Sequence, residues 1–358
     1  MTGARYHDLH DLSCVVHVHS TYSDGTASLP EIIDAARFAG RSAVMVTDHD
    51  TLGAKRDGWE GWHDGVMVMV GVEVSPSGGH YLAFGLDAEL DHGQIPESEI
   101  PGRVAAAGGF GFAAHPFSQG SKMSKLIGRP HPWRRLADPD LTGIELWSLA
   151  TDSAESWSSP LEAIRFLRDP ESQITDPPQP NLESWDALLA RRRTVAIGGL
   201  DAHQTGVRIR GRAHSPMPNH QWFRMLGTHL LLDEPPSGDF DADRAAAYRA
   251  LRAGRCYISR DSLGDPAGFR FWAERDGERI EMGGEARGEG LRFGARLPRE
   301  AEVTLLRDGA EVARAVAQEI DEEADAPGVY RMTARVRSRG ESRTWILSNA
   351  IRVVAGDE

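Results

Sequence analysis

Short apolar segments alternate with helical segments through most of the chain, and this alternation limits the fold more than any other feature of the sequence. Strands separated by helices are typical of β/α units, in which consecutive strands lie parallel in one sheet. We therefore predict an α/β fold around a mostly parallel sheet. The predicted strands are 14–18, 43–47, 66–74, 81–85, 111–114, 143–147, 194–199 and 229–232.

Two stretches depart from this rhythm. Residues 151–180 are rich in Ser, Asp and Pro, and they fit an insertion over one end of the strands or a surface loop packed on itself. After Asp265, strand-like segments alternate with Gly- and Asp-bearing turns, which predicts a small antiparallel β-sandwich domain. We expect two domains, over 1–263 and 264–358.

Charge and composition restrict the partners. The 358 residues carry a formal net charge of −13, which disfavours long nucleic acid because its phosphate backbone is repelled. No apolar run approaches the ~20 residues of a membrane-spanning helix, and residues 1–13 lack the regions of a signal peptide. Cys14 and Cys256 are expected to be buried free thiols. We predict a cytoplasmic protein with a small-molecule substrate and no membrane contact; a homo-oligomer is left open.

Metal-capable side chains stand at one end of nearly every predicted strand. In parallel α/β folds, functional groups gather at the carboxyl ends of strands. A single His-x-His or a strand-terminal Glu is usually incidental, but six separate places with the same chemistry predict one shared site. The side chains are His17, His19, Asp24, His49, Glu73, His80, His115, Asp201 and His203.

The residue types also indicate the metal class. Imidazole mixed with carboxylate, without thiolate, suits Zn²⁺, Mn²⁺ or Fe²⁺ better than a structural zinc site. Nine ligands exceed the needs of one ion. We therefore expect two or three divalent ions with a carboxylate that bridges two of them.

These motifs resemble the PHP family, which is named for polymerases and histidinol phosphatases. The resemblance runs from about Leu12 to Asp261 and includes all nine expected ligand positions. It implies a distorted (β/α)7 barrel with a trinuclear metal site and hydrolase activity. The motifs are His17-x-His19, Ser23-Asp24-Gly25, Thr47-Asp48-His49-Asp50, Gly71-x-Glu73, His80, Ala114-His115-Pro116 and Asp201-x-His203.

The resemblance also implies which residues share an ion. One ion would be held by His17, His19, Glu73 and Asp201. A second ion would be held by His80, His115 and the bridging Glu73. A third ion would be held by Asp24, His49 and His203.

Within the family, the layout is similar to the branch of carbaryl hydrolase-like metallohydrolases. The shared features are the stretch from Gly254 to Ser259 and the trailing β domain that ends in Ser348-Asn349-Ala350-Ile351. Members of one fold can differ in substrate, so the branch does not fix the reaction.

The leading functional hypothesis is a phosphoesterase that acts on a small phosphorylated metabolite or nucleotide through a metal-activated hydroxide. One alternative is a carbamate or carboxylic ester hydrolase, for which tryptophans near 151–180 would suit an aromatic leaving group. Another alternative is a metal-stabilised scaffold without catalysis.

Other residues are candidates for proton transfer or substrate binding. Asp48, Glu145 and His214 are catalytic or supporting candidates, because Asp48 adjoins a ligand and Glu145 lies near the end of a strand. Several cations lie in or near loops that follow ligand-bearing strands and are candidates for phosphate binding. They are Arg56, Lys122, Lys125, Arg129, Arg208, Arg210 and Arg212.

Overall fold

The computed structural model describes residues 9–76, 78–91, 93, 95–123, 129–324 and 326–356. The chain forms two compact units. The first unit comprises Ser13–Leu182 and Ile197–Thr228. The second comprises the residues up to Leu12, Glu183–Ala196 and His229–Glu358. The expected domain boundary between 263 and 264 stays a prediction.

The first unit holds mixed α/β structure. Its strands, some of which continue into the second unit, are β1 (His10–Val18), β2 (Ala43–Val46), β3 (Gly61–His63), β4 (Val66–Val70), β5 (Val72–Val74), β6 (His80–Phe84), β7 (Phe110–Ala114), β8 (Gly143–Ser148), β9 (Val195–Gly199), β10 (Val207–Ile209), β11 (Arg212–His214) and β12 (Gly227–Leu232). Its helices are α1 (Leu29–Phe38), α2 (Gly53–Arg56), α3 (Ile100–Ala106), α4 (Leu149–Ser156), α5 (Pro160–Arg168), α6 (Pro170–Gln173), α7 (Gln179–Leu189) and α8 (Asn219–Trp222), with a 3-10 turn at Glu97–Glu99. Residues 151–180 are thus mainly helical.

Strand pairing in the first unit divides between two sheets. In one, β1, β2, β4 and β3 lie side by side, and β1–β2 and β2–β4 are parallel. In the other, the order is β5-β6-β7-β8-β9. The sequence predicts a mostly parallel sheet, but the pairs β5–β6 and β6–β7 are antiparallel. For β5–β6 the reason is length, because residues 75–79 are too few for a parallel crossover.

The predicted strand 66–74 is two strands that separate at Gly71. A Cβ on Gly71 would lie 2.6 Å from the carbonyl oxygen of Ala83, so glycine permits this close approach. The break allows β4 to pair in the first sheet and β5 in the second.

Isolated bridges connect the two sheets. Val18 pairs with Ala202 and His49 pairs with Glu73, both in parallel orientation. The backbone N–H of Leu200 also donates to the Val16 oxygen over 2.9 Å. The strand ladders of the described residues nevertheless do not form one closed barrel.

The second unit consists mainly of strands. They are β13 (Cys256–Ser259), β14 (Arg270–Arg275), β15 (Glu278–Glu281), β16 (Glu285–Arg287), β17 (Leu291–Arg307), β18 (Ala310–Ala324), β19 (Gly328–Ser338), β20 (Glu341–Ser348) and β21 (Ile351–Val354). Helix α9 (Phe240–Ala253) and a 3-10 turn (Asp261–Leu263) precede most of them. The ladders β14–β17, β17–β18, β17–β19 and β19–β20 are antiparallel, whereas β16–β21 is parallel. Strand pairing alone does not show two sheets packed face to face, so the β-sandwich stays a prediction.

Helix α9 ends before Gly254, whose φ of 76° is the left-handed conformation that glycine adopts without strain. Cys14 and Cys256 are free and buried, as predicted. Among the helices of the described residues, none is long and apolar enough to span a bilayer.

A buried polar network lies in the second unit around His229. The His229 Nδ1 lies 2.7 Å from Asp11 Oδ1, and its Nε2 lies 3.1 Å from Asp261 Oδ2. The Tyr257 hydroxyl donates to Asp11, and its ring stacks on the imidazole. Burial alone would lower the pKa of His229, but the two carboxylates outweigh it and raise the pKa to about 9.

This network predicts a pH dependence of stability. Because the pKa in the folded state exceeds the usual value of 6.5, the stabilisation is complete below about pH 6.5 and is lost as pH rises through about 9. We expect the unfolding free energy to fall by at most about 3 kcal/mol over this window. Urea unfolding at several pH values would measure it. A His229→Gln variant with the same pH slope would contradict the assignment.

Candidate metal centre

The nine predicted ligand side chains converge in the first unit, with Glu73 at their centre. Glu73 is fully buried in β5. Its Oε2 lies 3.1 Å from the Nε2 atoms of both His17 and His19. Its Oε1 lies 2.8 Å from His80 Nδ1 and 3.2 Å from His115 Nε2. Both oxygens of the Glu73 carboxylate therefore face imidazole rings.

A second carboxylate, Asp201, follows β9. Its Oδ1 lies 3.4 Å from both His17 Nε2 and His19 Nε2. The neighbouring His203 directs its Nε2 to Asp24 Oδ1 at 3.2 Å. Asp201 therefore shares two imidazoles with Glu73, and Asp24 extends the cluster beyond them.

His49 connects the two parts of the cluster. Its Nδ1 lies 3.3 Å from Glu73 Oε2, and its Nε2 lies 3.7 Å from Asp24 Oδ2. The Ser75 hydroxyl lies 2.7 Å from the same Nδ1. Among the described residues, three groups have possible metal-ligand atoms within 4.8 Å of one another. They are His19-Asp24-His49-His203, His17-His19-Glu73-Asp201 and His49-Glu73-His80.

The backbone at three of these residues adopts an uncommon conformation. His17, His115 and Asp201 have φ angles of 65°, 28° and 51°. Non-glycine residues rarely adopt positive φ, and such strain persists only where the surrounding structure enforces it. Here adjacent β-structure enforces it: the Ala202 N–H donates to the His17 oxygen over 3.1 Å.

The donor set fits divalent cations. Both ring nitrogens of His19 are buried and make no hydrogen bond with the described residues, although two carboxylates lie beside Nε2. A buried polar atom without a partner is costly. Bound cations would satisfy these nitrogens and neutralise the buried acids.

The pKa shifts within the cluster also indicate that the buried carboxylates need positive charge beside them. Burial alone would raise the pKa of Glu73, but His17 and hydrogen bonds from the imidazoles hold it well below its usual range. The pKa of Asp201 is lowered in the same way, by His17 and His203 acting against burial. For His203, burial is outweighed by Asp201 and Asp24, and its pKa rises to about 9. Without bound metal, protonated imidazoles must therefore supply the positive charge that stabilises the buried carboxylates.

Glu145, a predicted catalytic residue, is buried and contacts two of the predicted ligand residues. Its Oε1 lies 2.9 Å from His17 Nδ1, and its Oε2 accepts the backbone N–H of His115 over 2.7 Å. A carboxylate on the far nitrogen of a ligating imidazole fixes the ring orientation. Gly199 leaves room for it, because a Cβ there would lie 1.7 Å from Glu145 Oε1.

Asp48 supports the loop that carries Asp24. Its carboxylate accepts hydrogen bonds from the backbone and hydroxyl of Ser20, over 2.7 and 2.6 Å, and from the Ser23 hydroxyl over 2.7 Å. The predicted catalytic or supporting role of Asp48 stays a prediction. His214 lies exposed on β11, and its side chain makes no hydrogen bond or ion pair with the described residues.

The predicted phosphate-binding cations fall into two classes. Arg56 and Arg208 are already paired with carboxylates, Arg56 with Glu89 and Arg208 with Glu31. Exposed cations whose side chains have no hydrogen bond or ion pair with a described residue are Lys122, Arg129, Arg210 and Arg212. Lys125 lies outside the described residues.

Besides Ser75, sequence reasoning missed two further neighbours of the cluster. The Thr151 hydroxyl, in the first turn of α4, donates to Asp201 Oδ2 over 2.6 Å. The His131 ring stacks on His80, with centroids 4.3 Å apart. Neither residue belongs to a motif, so spacing gave no signal for either.

Comparison with known proteins gave structural similarity only. No family model and no curated protein matches the chain. A two-domain protein containing a predicted PHP-like metal-dependent phosphoesterase, from Bacteroides vulgatus, is 14% identical, with 95% of both chains covered and a TM-score of 0.44. A protein from Bifidobacterium adolescentis, described as a metal-dependent phosphoesterase, is 18% identical, with 56% of this chain and 90% of that chain covered and a TM-score of 0.36. An amidohydrolase from Chromobacterium violaceum is 17% identical, with 53% and 87% covered and a TM-score of 0.32.

Two of these neighbours are described as metal-dependent phosphoesterases, one of them as PHP-like, and the third is an amidohydrolase. The carbaryl hydrolase-like branch is not confirmed.

The close approach of Glu145 to Gly199 allows a test of whether Glu145 positions the predicted ligands. In Gly199→Ala, the new methyl group would overlap Glu145 Oε1 and would lie 3.1 Å from His17 Cβ. We expect metal affinity to fall about 10- to 100-fold, as when a partner of a ligating histidine is lost. Elemental analysis after dialysis against buffered metal would measure it. Gly102→Ala, in helix α3, is the matched control; equal metal content in both variants would contradict the role of Glu145.

Proposed function

We propose that this protein is a metal-dependent hydrolase that cleaves phosphoesters of small molecules. The observation that carries the proposal is the convergence of six imidazoles and three carboxylates around Glu73. A structural zinc site needs four ligands in a closed tetrahedron, whereas this set is larger and partly open to solvent. Its excess of donors suits several ions and an exchangeable substrate.

The proposed ions are two or three of Mn²⁺, Zn²⁺ or Fe²⁺. The groups with close donor atoms favour His17, His19, Glu73 and Asp201 for one ion and Asp24, His49 and His203 for another. Glu73 would bridge to an ion at His80 and His115. When bound, such ions supply Lewis acidity toward a phosphoryl oxygen and toward water.

The chain's own residues hold this site in place. Glu145 fixes the His17 ring, and Thr151 orients the Asp201 carboxylate. His17 and His19 are fully buried, whereas 58% of the Asp24 side chain is exposed. The substrate therefore enters on the Asp24 side.

The cations near the site differ in whether they can bind an anionic substrate. Arg56 and Arg208 are paired with acids, so binding an anion would require them to leave existing partners. The exposed Arg210, Arg212 and Lys122 have no side-chain partner among the described residues and can contact an anion directly. We propose that the metal ions attract the phosphoryl group and that these cations contact the rest of the substrate.

The finer architecture is also a proposal. The bridges Val18–Ala202 and His49–Glu73 join the two sheets, which supports a distorted seven-stranded barrel whose regular strand pairing is interrupted at these two places. The strands after residue 264 are proposed as a noncatalytic domain.

Activity of the metal-loaded full chain tests the function. We expect release of phosphate from p-nitrophenyl phosphate or a nucleotide in the presence of Mn²⁺ or Zn²⁺. The double variant His17→Ala/His19→Ala should lose more than about 100-fold, because two central donors are removed. His10→Ala, at an exposed histidine on the same strand, is the control.

Two results would overturn the proposal. Wild-type turnover no higher than that of the double variant would remove phosphoesterase activity. Hydrolysis of naphthyl acetate or a naphthyl carbamate without phosphate release would favour the ester or carbamate alternative. A melting temperature that falls on metal removal, with no hydrolysis of any substrate, would favour the scaffold.

A further inference from the structure

His49 lies between two possible ion positions. Its Nε2 lies 3.7 Å from Asp24 Oδ2, and its Nδ1 lies 3.3 Å from Glu73 Oε2. A metal-binding imidazole is neutral and has one lone pair, so the ring can bind an ion through only one of these nitrogens. His49 belongs to two of the groups with close ligand atoms, named here the Asp24 group and the Glu73 group. They are His19-Asp24-His49-His203 and His49-Glu73-His80.

The hydroxyl of Ser75 indicates which nitrogen carries the proton. Ser75 Oγ donates its single hydrogen to the Glu73 backbone oxygen over 2.9 Å. The same Oγ lies 2.7 Å from His49 Nδ1 and must accept a hydrogen there, because its own is already donated. The Glu73 carboxylate, which also only accepts, lies beside the same nitrogen. Nδ1 therefore carries the proton, and Nε2 keeps the lone pair.

Backbone contacts hold Ser75 against the segment that carries His49. Ser75 follows β5, and its N–H donates to Asp50 Oδ1 over 2.8 Å. The Asp50 N–H donates to the Glu73 oxygen over 3.0 Å, and the Glu73 N–H donates to the Asp48 oxygen over 3.1 Å. These two backbone bonds form the parallel bridge between His49 and Glu73. The hydroxyl is thus fixed relative to the imidazole ring.

The Nδ1 atoms of two other predicted ligands also face acceptors. His17 Nδ1 lies 2.9 Å from Glu145 Oε1, and His203 Nδ1 lies 3.0 Å from the Asp201 backbone oxygen. In both rings the Nε2 atom then faces a carboxylate of the cluster. An acceptor on the far nitrogen fixes which nitrogen can bind metal. Ser75 provides that acceptor for a third ring, in the form of an uncharged hydroxyl.

We propose that Ser75 is a positioning residue that directs the His49 lone pair to an ion in the Asp24 group. His49 Nε2 and Asp24 Oδ2 are both acceptors and lie too far apart for a hydrogen bond, so a cation between them would satisfy both. The inference rests on the proposed function, because it needs the metal ions on which that function depends. Without the hydroxyl, the proton is free to move to Nε2, and the lone pair then faces the Glu73 group.

Zn²⁺ binding by the full chain tests the proposal. Metal-free protein is titrated with Zn²⁺ against a competing chelator, and elemental analysis gives the bound equivalents. In Ser75→Ala we expect one equivalent to bind about 10- to 100-fold more weakly than in the wild type, as when the partner of a ligating histidine is lost. Ser75→Thr keeps a hydroxyl and should bind Zn²⁺ like the wild type.

Ser172→Ala is the matched control. Ser172 Oγ donates to the Asp169 backbone oxygen over 3.0 Å and accepts from the Gln173 side chain over 2.8 Å. It makes the same two kinds of hydrogen bond as Ser75, but neither partner is a predicted ligand. Its removal should leave Zn²⁺ binding unchanged, and equal weakening in both alanine variants would overturn the proposal.

Double variants show which ion is affected. Asp24→Asn should weaken the same equivalent, so adding Ser75→Ala to it should cost little more. His80→Ala removes a ligand of the Glu73 group, so its effect should add to that of Ser75→Ala. The reverse pattern, additive with Asp24→Asn and not with His80→Ala, would overturn the assignment of His49.

The position of the proton on His49 is a second readout. Histidine ¹⁵N NMR of the Zn²⁺-loaded protein distinguishes a protonated from a metal-bound ring nitrogen, and His49→Gln identifies the signals. We expect the proton on Nδ1 in the wild type and in Ser75→Thr. A proton on Nε2 in the wild type would contradict the role of Ser75.

Failure of this inference is distinguishable from failure of the function. Wild-type Zn²⁺ affinity in Ser75→Ala would overturn the role of Ser75 and leave the proposed hydrolase intact. Weakened Zn²⁺ binding in Ser75→Ala, with no hydrolysis of any phosphoester by the wild type, would support the role of Ser75 and overturn the function. An absence of Zn²⁺ binding by the wild type would overturn both.

Discussion

The buried carboxylate of Glu73 is the group on which the site depends. An acid at the centre of a protein is tolerated only if positive charge surrounds it, and here four neighbouring imidazoles and any bound cations supply that charge. The elements that bring these imidazoles together are β1, β6 and β7. Their pairing therefore serves the electrostatics of one side chain as well as the apolar core.

Much of this centre could be predicted from sequence because each ligand is tied to a local signal. His17, His115 and Asp201 lie at or just beyond the ends of strands β1, β7 and β9, and strand ends are readable from short apolar segments. The pairing of β5 with β6 was not readable, since direction depends on tertiary contacts. The break at Gly71 depends on the Ala83 carbonyl, which is 12 residues away in sequence.

The roles of the residues around the predicted ligands also depend on tertiary contacts that the sequence does not reveal. Glu145 was found by its strand position, but its partner His17 is separated from it by 128 residues, so its role could not be inferred. Thr151 carried no signal, because a threonine in the first turn of a helix is common. Arg208 and Arg212 are indistinguishable in sequence, and only the pairing register of β10 and β11 shows that they lie on opposite faces.

The positive φ angles at His17, His115 and Asp201 have a consequence for how ions enter and leave. In small zinc domains, ligand residues become ordered only when the metal binds, so uptake is inseparable from chain folding. Here hydrogen-bonded backbone holds His17 against Ala202 in the absence of an ion. If the proposed ions bind, one cation could therefore replace another by ligand substitution without refolding of the chain, and the bound ion would follow supply in the surroundings as much as intrinsic affinity.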